Sequence, residues 1–149
     1  MLRIKAYAIG LMLMLLSSWV SANGESMQQF GDYQVHYSIF NTSFISPEIA
    51  QHYNIVRSKN SAMINIAVLK KQADGSYKNV TAHVSGEHND LVRKEALNFT
   101  LVREQHAIYY LTTFTIHHNI DVYFTFTIQP DPNQPAFKLQ LTKRLYRDE

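Results

Sequence analysis

AIYYLTTFTIHHNIDVYFTFTIQ, residues 107–129, is the stretch that decides the fold class. Two runs of alternating apolar residues lie within it, one over residues 108–116 and one over residues 120–128. Alternation with a period of two is typical of strands that bury one face. The sequence therefore predicts two consecutive strands, separated by the polar turn at residues 117–119.

The turn between the two runs predicts the register of a hairpin. A two-residue loop places Ile116 opposite Asp121, which sets a core residue against a solvent residue. A three-residue loop instead pairs Ile116 with Ile120 and Phe114 with Val122, so that the buried faces coincide. We therefore predict an antiparallel hairpin in which the two runs pair directly with each other.

The same alternation continues outward from this stretch. It recurs in four further segments, at residues 33–39, 64–68, 97–101 and 137–142. Asp74 and Gly75 form the strongest turn signal, and they predict a second hairpin arm over residues 77–84. We predict loops at residues 85–90, which are polar and contain a glycine, and at residues 130–135, where prolines cannot pair in a central strand.

One segment breaks the alternation and carries a helix signal. Ser46 is a favoured N-cap residue, Pro47 suits the first helical position, and Glu48 places an acid in the first turn. We predict a two-turn helix over residues 47–53, which Asn54 ends.

About seven strands, each with an apolar face, and one short helix near residues 47–53 indicate an all-β domain. We predict an immunoglobulin-like antiparallel β-sandwich. The cysteine pair of antibody domains is absent, because the chain contains no cysteine. A small closed barrel is the alternative architecture, since periodicity does not distinguish it from a sandwich.

The first 22 residues have the three parts of a secretory signal peptide. A positive start precedes an apolar core at residues 6–16, and Ala22 is the small residue before the expected cleavage site. The apolar core is too short to span a bilayer, which takes about 20 residues. We therefore predict that residues 1–22 are removed and that residues 23–149 form a single exported domain without a membrane span.

The net charge of the expected mature chain is zero. The full chain of 149 residues has 14 Lys and Arg against 12 Asp and Glu, but Arg3 and Lys5 lie in the signal peptide. The mature chain keeps 12 of each sign, without the positive excess typical of nucleic-acid binders. The lack of cysteine excludes disulfides, cysteine zinc sites and thiol catalysis.

Seven histidines raise metal binding as an alternative function. His117 and His118 are the densest pair, and His36 is the third candidate ligand. His106 and His117 flank one predicted strand, so about 35 Å separates them and they cannot share an ion. We favour solvent-exposed turn histidines over a metal site, and we predict no cofactor.

Sequence motifs of catalysis are absent. The chain has no Gly-x-Ser-x-Gly elbow, no glycine-rich phosphate loop and no His-Glu-x-x-His. We therefore predict a protein without enzymatic activity. A hydrolase with a different kind of site is an alternative.

The predicted hairpin presents an outward face rich in Thr and Tyr. Tyr109, Leu111 and Tyr123 share this face in the three-residue-loop register. Tyrosine offers a large contact area with a polar tip, which suits recognition of a protein or a glycan. A solvated sheet face built from good strand formers is the other interpretation.

The expected mature chain resembles a known family. The resemblance rests on FGDYQVHY at residues 30–37, FNTSFISP at 40–47, YNIVRS at 53–58 and AIYY at 107–110. These stretches are similar to domain of unknown function 4426 (DUF4426), a family of exported gammaproteobacterial proteins. The resemblance implies a periplasmic location, and it implies no activity and no functional residues.

The resemblance draws attention to residues 41–58, which depart from the alternation. Asn41 and Arg57 are polar residues near the predicted helix. They either fix the conformation of this segment or line a binding surface, and we favour the structural role. Taken together, the sequence indicates a periplasmic, non-enzymatic binding or accessory module whose partner is an envelope protein.

Overall fold

A computed structural model describes residues 26–117 and 119–148. The predicted signal peptide and His118 lie outside the described residues. The described residues form ten strands, one 3-10 turn at Thr42–Phe44 and one helix, α1, at Pro47–His52. The strands are β1 (Ser26–Phe30), β2 (Tyr33–Asn41), β3 (Ser61–Lys71), β4 (Tyr77–Asn79), β5 (His83–Asn89), β6 (Lys94–Leu97), β7 (Thr100–Glu104), β8 (Ala107–Thr115), β9 (Asp121–Gln129) and β10 (Phe137–Arg144).

The strands form two antiparallel sheets. The larger sheet has the order β1-β2-β3-β8-β7, with β4 also paired to β3, and the smaller sheet has the order β10-β9-β5-β6. The predicted all-β sandwich is therefore confirmed. The number of strands is ten in the described residues rather than about seven, because β1 was not predicted and two predicted runs are each divided between the sheets.

The core lies between the inner faces of the two sheets. Ile64 and Ile66 of the larger sheet are completely buried, as are Phe126 and Ile128 of the smaller sheet. The twelve other buried residues of this cluster come from both sheets or directly follow one of their strands. Burial of alternate residues on the longer strands supplies the main stabilisation, since the chain has no disulfide.

The predicted hairpin of residues 107–129 is wrong. Strand β8 pairs with β3 and β7 in the larger sheet, whereas β9 pairs with β5 and β10 in the smaller one. The two inner faces still meet, because the Phe114 and Phe124 rings lie 5.5 Å apart across the core. Alternation identifies which side chains are buried. Two strands that face each other across the core bury the same side chains as two strands that pair in one sheet, so alternation does not distinguish the two arrangements.

Two other predicted runs also pass from one sheet to the other. Strand β6 ends at Leu97 in the smaller sheet, and β7 begins at Thr100 in the larger one, so residues 97–101 are not one strand. The arm after Asp74 and Gly75 pairs with β3 only as far as Asn79, and the chain then enters the smaller sheet as β5.

The predicted loop at residues 85–90 is wrong, since residues 83–89 form β5. Gly86 pairs with Phe126 in the interior of the smaller sheet. A Cβ atom at Gly86 would lie 2.8 Å from Cδ1 of Phe126 and 3.1 Å from the carbonyl oxygen of Thr125. The glycine therefore allows a close approach of side chain to backbone, a role it often has inside strands.

The local predictions of helix and turns are confirmed. Ser46 caps α1 by accepting a hydrogen bond from the amide of Ile49, and Asn54 follows the helix with a φ of +54°. Gly75 has a φ of +86° in the turn between β3 and β4. Residues 130–135 form the loop before β10. In the described part of the chain, we find no helix with the length and apolarity to cross a membrane.

Candidate binding groove

A groove lies on the outer face of the larger sheet, with a volume of about 910 Å³. Its floor consists of side chains on the solvent side of the sheet, from His36, Ser38 and Phe40 on β2, Met63, Asn65 and Ala67 on β3, and Tyr109 on β8. One wall is the segment between β2 and β3, which contributes Phe44, Ile45, Ser46 and Ile49. We call this site the outer groove.

Helix α1 is packed onto the outer face and thereby fixes this wall. Ile45 and Ala50 are buried against Met63, together with the partly buried Leu111. At the end of the helix, the hydroxyl of Tyr53 donates a 2.5 Å hydrogen bond to Oε1 of Glu104 on β7. The wall is therefore attached to the sheet by an apolar cluster and by a polar contact.

Asn41 and Arg57 hold the wall segment in place. The Asn41 side-chain amide donates to the carbonyl of Tyr146 at 2.8 Å and to Oδ1 of Asp148 at 3.0 Å. Nη2 of Arg57 donates to the carbonyl of Ser43 at 3.0 Å. Asn41 is buried, and neither residue lines the outer groove. These contacts support the structural role that we favoured for both residues.

The outer groove combines apolar rims with an uncharged lining. Phe44 and Ile49 expose 76% and 51% of their surface beside the concavity, and an exposed apolar patch is typical of a ligand-binding groove. None of the described residues that line the groove is Asp, Glu, Lys or Arg. His36 lies on the floor, with Nε2 at 3.1 Å from Oε1 of Gln34. The groove therefore suits a neutral ligand with apolar groups.

Asn65 is the polar residue that the sequence analysis missed. Its Oδ1 atom is buried and has no hydrogen-bond partner among the described residues. On either side in the sheet, its register partners are Ser38 and Leu111. An asparagine in the middle of the apolar run over residues 62–68 was the available signal, because a buried amide normally needs a partner.

The structure separates the three residues that we predicted to share one surface. Tyr109 lines the outer groove, and Leu111 lies beside it against the helix cluster. Tyr123 lies on the outer face of the other sheet, where it pairs with Asn89 and Thr142. The predicted flat surface does not form, because β8 and β9 belong to different sheets.

His36 and His117, two of the candidate metal ligands, are also separated. His36 pairs with Ala67, whereas Thr115, just before His117, pairs with Ser61. These two positions on β3 are six residues apart in sequence, which corresponds to roughly 20 Å. His36 and His117 thus cannot share an ion. Within residues 26–117 and 119–148, no group of three His, Cys, Asp or Glu side chains could hold a metal.

His88 is a buried histidine in the core, away from the outer groove. Its ring lies 4.8 Å from that of Phe114 and 6.3 Å from that of Phe124, between the two sheets. Nε2 is 3.5 Å from Oε2 of Glu95, and Nδ1 is buried without a hydrogen-bond partner in the described part of the chain. Burial lowers the pKa of His88, and this effect outweighs the nearby carboxylates, which act in the opposite direction.

We expect His88 to make the fold less stable in mild acid. Because its pKa is lower in the folded state than the usual value of about 6.5, the unfolded chain binds the proton more readily. The free energy of unfolding should therefore fall as the pH decreases from about 7.5 to 5.5. Glu95 and Asp90 favour the protonated ring, and His117 opposes it. The slope of the free energy of unfolding against pH therefore reflects both these charges and the burial of the ring.

Urea unfolding at pH 7.5 and 5.5 checks this expectation. His88→Gln should reduce the difference between the two pH values, whereas His83→Gln, on the exposed end of the same strand, should leave it unchanged. The comparison uses the pH dependence and not the absolute stability, because the substitution also removes ring contacts. An equal pH dependence in wild type and His88→Gln would contradict the expectation.

The fold is shared with several solved structures. The crystal structure of a DUF4426 family protein from Pseudomonas aeruginosa PAO1 is 36% identical, with a TM-score of 0.72, and the match covers 85% of this chain and 98% of that one. A copper-bound variant of FetP from uropathogenic Escherichia coli strain F11 is 9% identical, with a TM-score of 0.59 and coverage of 81% and 94%. FetP in its as-isolated form is 10% identical, with a TM-score of 0.57 and coverage of 82% and 93%. The two FetP structures show a similar fold.

Sequence comparison gives the same family. Among curated proteins, no significant match is found. The family described as "Domain of unknown function (DUF4426)" matches residues 27–148, which include every strand from β2 to β10. The resemblance stated from the sequence is thereby confirmed, and the chain belongs to the DUF4426 family.

Proposed function

We propose that this protein is a periplasmic, non-enzymatic binding module that holds a segment of another envelope polypeptide in the outer groove. The observation that carries the proposal is the uncharged groove on a regular sheet, with Phe44 and Ile49 exposed along its rim. The apparent signal peptide over residues 1–22 supports export.

The composition of the groove supports a polypeptide partner. The cores of protein interfaces are depleted in charged residues and enriched in aromatic residues and Met. The outer groove has this composition, with Phe40, Phe44, Met63 and Tyr109 in its lining. Binding sites on strands and packed helices are held more precisely than sites on loops, and this groove lies on both.

Site-specific photo-crosslinking in cells of the source organism tests the proposal. A benzophenone amino acid replaces Phe44 in one variant and Ile49 in another, and a control variant carries it at Tyr123 on the other sheet. We expect the two groove variants to crosslink to the same segment of one envelope protein, identified by mass spectrometry, and the control to leave that segment unlabelled. Labelling from Tyr123 alone, or unrelated adducts at positions 44 and 49, would overturn the proposal.

Metal binding through surface histidines is the alternative function, with His117 or His118 as the candidate ligands, since His36 lies too far from His117 to bind the same ion. It is supported by the shared fold of FetP, for which a copper-bound structure exists. Native mass spectrometry of the mature protein after addition of micromolar copper or zinc distinguishes the two functions. One retained ion in wild type, lost in His117→Ala, would favour the alternative.

A further inference from the structure

We propose that Asp148 is a positioning residue of the outer groove, because its carboxylate fixes the 3-10 turn that presents Phe44 at the rim. The inference rests on the proposed function and adds the contact that holds one wall of the groove in place for the bound segment. Residues 145–148, which follow β10, are called the strap.

The strap leads from the smaller sheet to the segment between β2 and β3. At its start, Leu145 is buried, and its amide donates a 3.2 Å hydrogen bond to the carbonyl oxygen of Ile120. Three residues later, the amide of Asp148 donates to the carbonyl oxygen of Lys59 at 3.0 Å. The strap is therefore attached both to the core and to the segment that forms the groove wall.

The carboxylate of Asp148 accepts two hydrogen bonds from the beginning of this wall. Oδ1 accepts from Nδ2 of Asn41 at 3.0 Å, and Oδ2 accepts from the hydroxyl of Ser43. The two donors lie on either side of Thr42, so a single carboxylate fixes the chain on both sides of this residue. Hydrogen bonds to an ionised carboxylate are stronger than those between neutral groups.

Other contacts of the turn lie within its own segment. Oγ1 of Thr42 accepts from the amide of Ser58 at 2.9 Å and donates to the carbonyl of the same residue at 3.2 Å. Nη2 of Arg57 donates to the carbonyl of Ser43 at 3.0 Å. These partners belong to the segment between β2 and β3, so they move with it. Asp148 lies outside this segment, and its contact therefore fixes the turn relative to the rest of the domain.

Phe44 directly follows Ser43 and depends on this contact for its place. Its side chain is 76% exposed, so packing contributes little to its position. The next residue, Ile45, is buried in the cluster beneath α1. The chain is thus held before Phe44 by Asp148 and after it by Ile45, which presents the exposed ring at the rim in one arrangement. A binding surface held in its bound arrangement loses less entropy on binding.

A nitroxide label at position 44 reports the order of the turn. The chain has no cysteine, so Phe44→Cys creates a single labelling site. Asp148→Ala should make the label more mobile, which narrows the lines of the EPR spectrum. Asp148→Asn should restore most of the order, because its side-chain amide can accept from Asn41 and donate to Ser43. A loss of overall stability alone would leave the lines unchanged in buffer, where nearly all molecules are folded.

Two further variants assign the effect to the contact between Asp148 and Ser43. Ser43→Ala should also increase the mobility of the label, and it should add nothing in the Asp148→Ala background, because its partner is already absent. Arg147→Ala is the matched control from the strap. Nε of Arg147 donates to Oδ1 of Asn60 at 2.8 Å, outside the turn, so this variant should leave the lines as they are in the parent protein.

Photo-crosslinking from position 49 connects the order of the turn with binding. The benzophenone amino acid replaces Ile49, and the adducts are compared in cells at equal levels of protein. Asp148→Ala should lower the yield of the specific adduct by about 3- to 10-fold, the usual range for one hydrogen bond, whereas Arg147→Ala should change it by less than about 2-fold.

The positioning role and the proposed function fail in different ways. Unchanged lines in Asp148→Ala, or an equal change in Arg147→Ala, would overturn the role of Asp148 whether or not a segment binds. A mobile label with an undiminished adduct would overturn it as well, because the position of Phe44 would then not matter to binding. Absence of a specific adduct from position 49 in the otherwise wild-type protein would overturn the proposed function, and the spectra would still decide whether Asp148 positions the turn.

Discussion

Replacing Phe126 with alanine is expected to lower the free energy of unfolding by about 3–5 kcal/mol. The side chain is completely buried between the two sheets. Its ring centroid lies 5.8 Å from that of Phe124 and 6.1 Å from that of Phe99, so its removal leaves a cavity inside an aromatic cluster. The backbone of β9 is paired on both sides, which limits how far the cavity can collapse.

The shift of the urea midpoint at constant m-value measures this loss. Tyr123→Ala, on the outer face of the same strand and 45% exposed, is the matched control and should cost less than about 1 kcal/mol. Equal losses for the two substitutions would show that Phe126 is not the centre of the core.

Gly86→Ala is expected to lower the free energy of unfolding by about 1–3 kcal/mol, although alanine normally suits a strand better than glycine. The new methyl group would meet Cδ1 of Phe126 at 2.8 Å and the carbonyl oxygen of Thr125 at 3.1 Å. The ring is fully buried, and the carbonyl belongs to the paired backbone, so neither can move freely.

A double-mutant cycle separates this clash from a general effect on β5. In a Phe126→Leu background the ring is absent, so Gly86→Ala should cost less than it does in the wild type. Ser85→Ala, the neighbouring position on the same strand, should change the free energy of unfolding by less than about 0.5 kcal/mol. Additive costs for Gly86→Ala and Phe126→Leu would contradict the assigned contact.

The place of Gly86 inside a strand could not be predicted from the sequence. Among polar neighbours a glycine is typical of a loop, and the reason for its presence lies 40 residues away, in the ring of Phe126. The same limit applies to Asn65. Its place in an apolar run was visible in the sequence, but whether a neighbouring strand would satisfy its amide depended on Ser38 and Leu111 as partners.

The outer groove was predicted only in part. Tyr109 is correctly predicted as an outward-facing residue of a binding surface, whereas His36 is predicted as a candidate metal ligand. Phe44 and Ile49 were not selected, because the cap at Ser46 predicts that a helix begins there and does not predict which face of the domain the helix covers. The contact of Tyr53 with Glu104 settles that question, and it joins residues 51 positions apart.

The sequence by itself determined the properties that depend on near neighbours in the chain. These are the inward side chains of most strands, the helix after Ser46 and the turn at Gly75, because alternation, capping and positive φ are properties of a few consecutive residues. Only the tertiary structure decided which strands pair, where the chain passes between the sheets and which faces enclose a groove. Pairing β8 with β9 or facing them across the core buries the same residues, so the choice depends on long-range packing that local patterns do not encode.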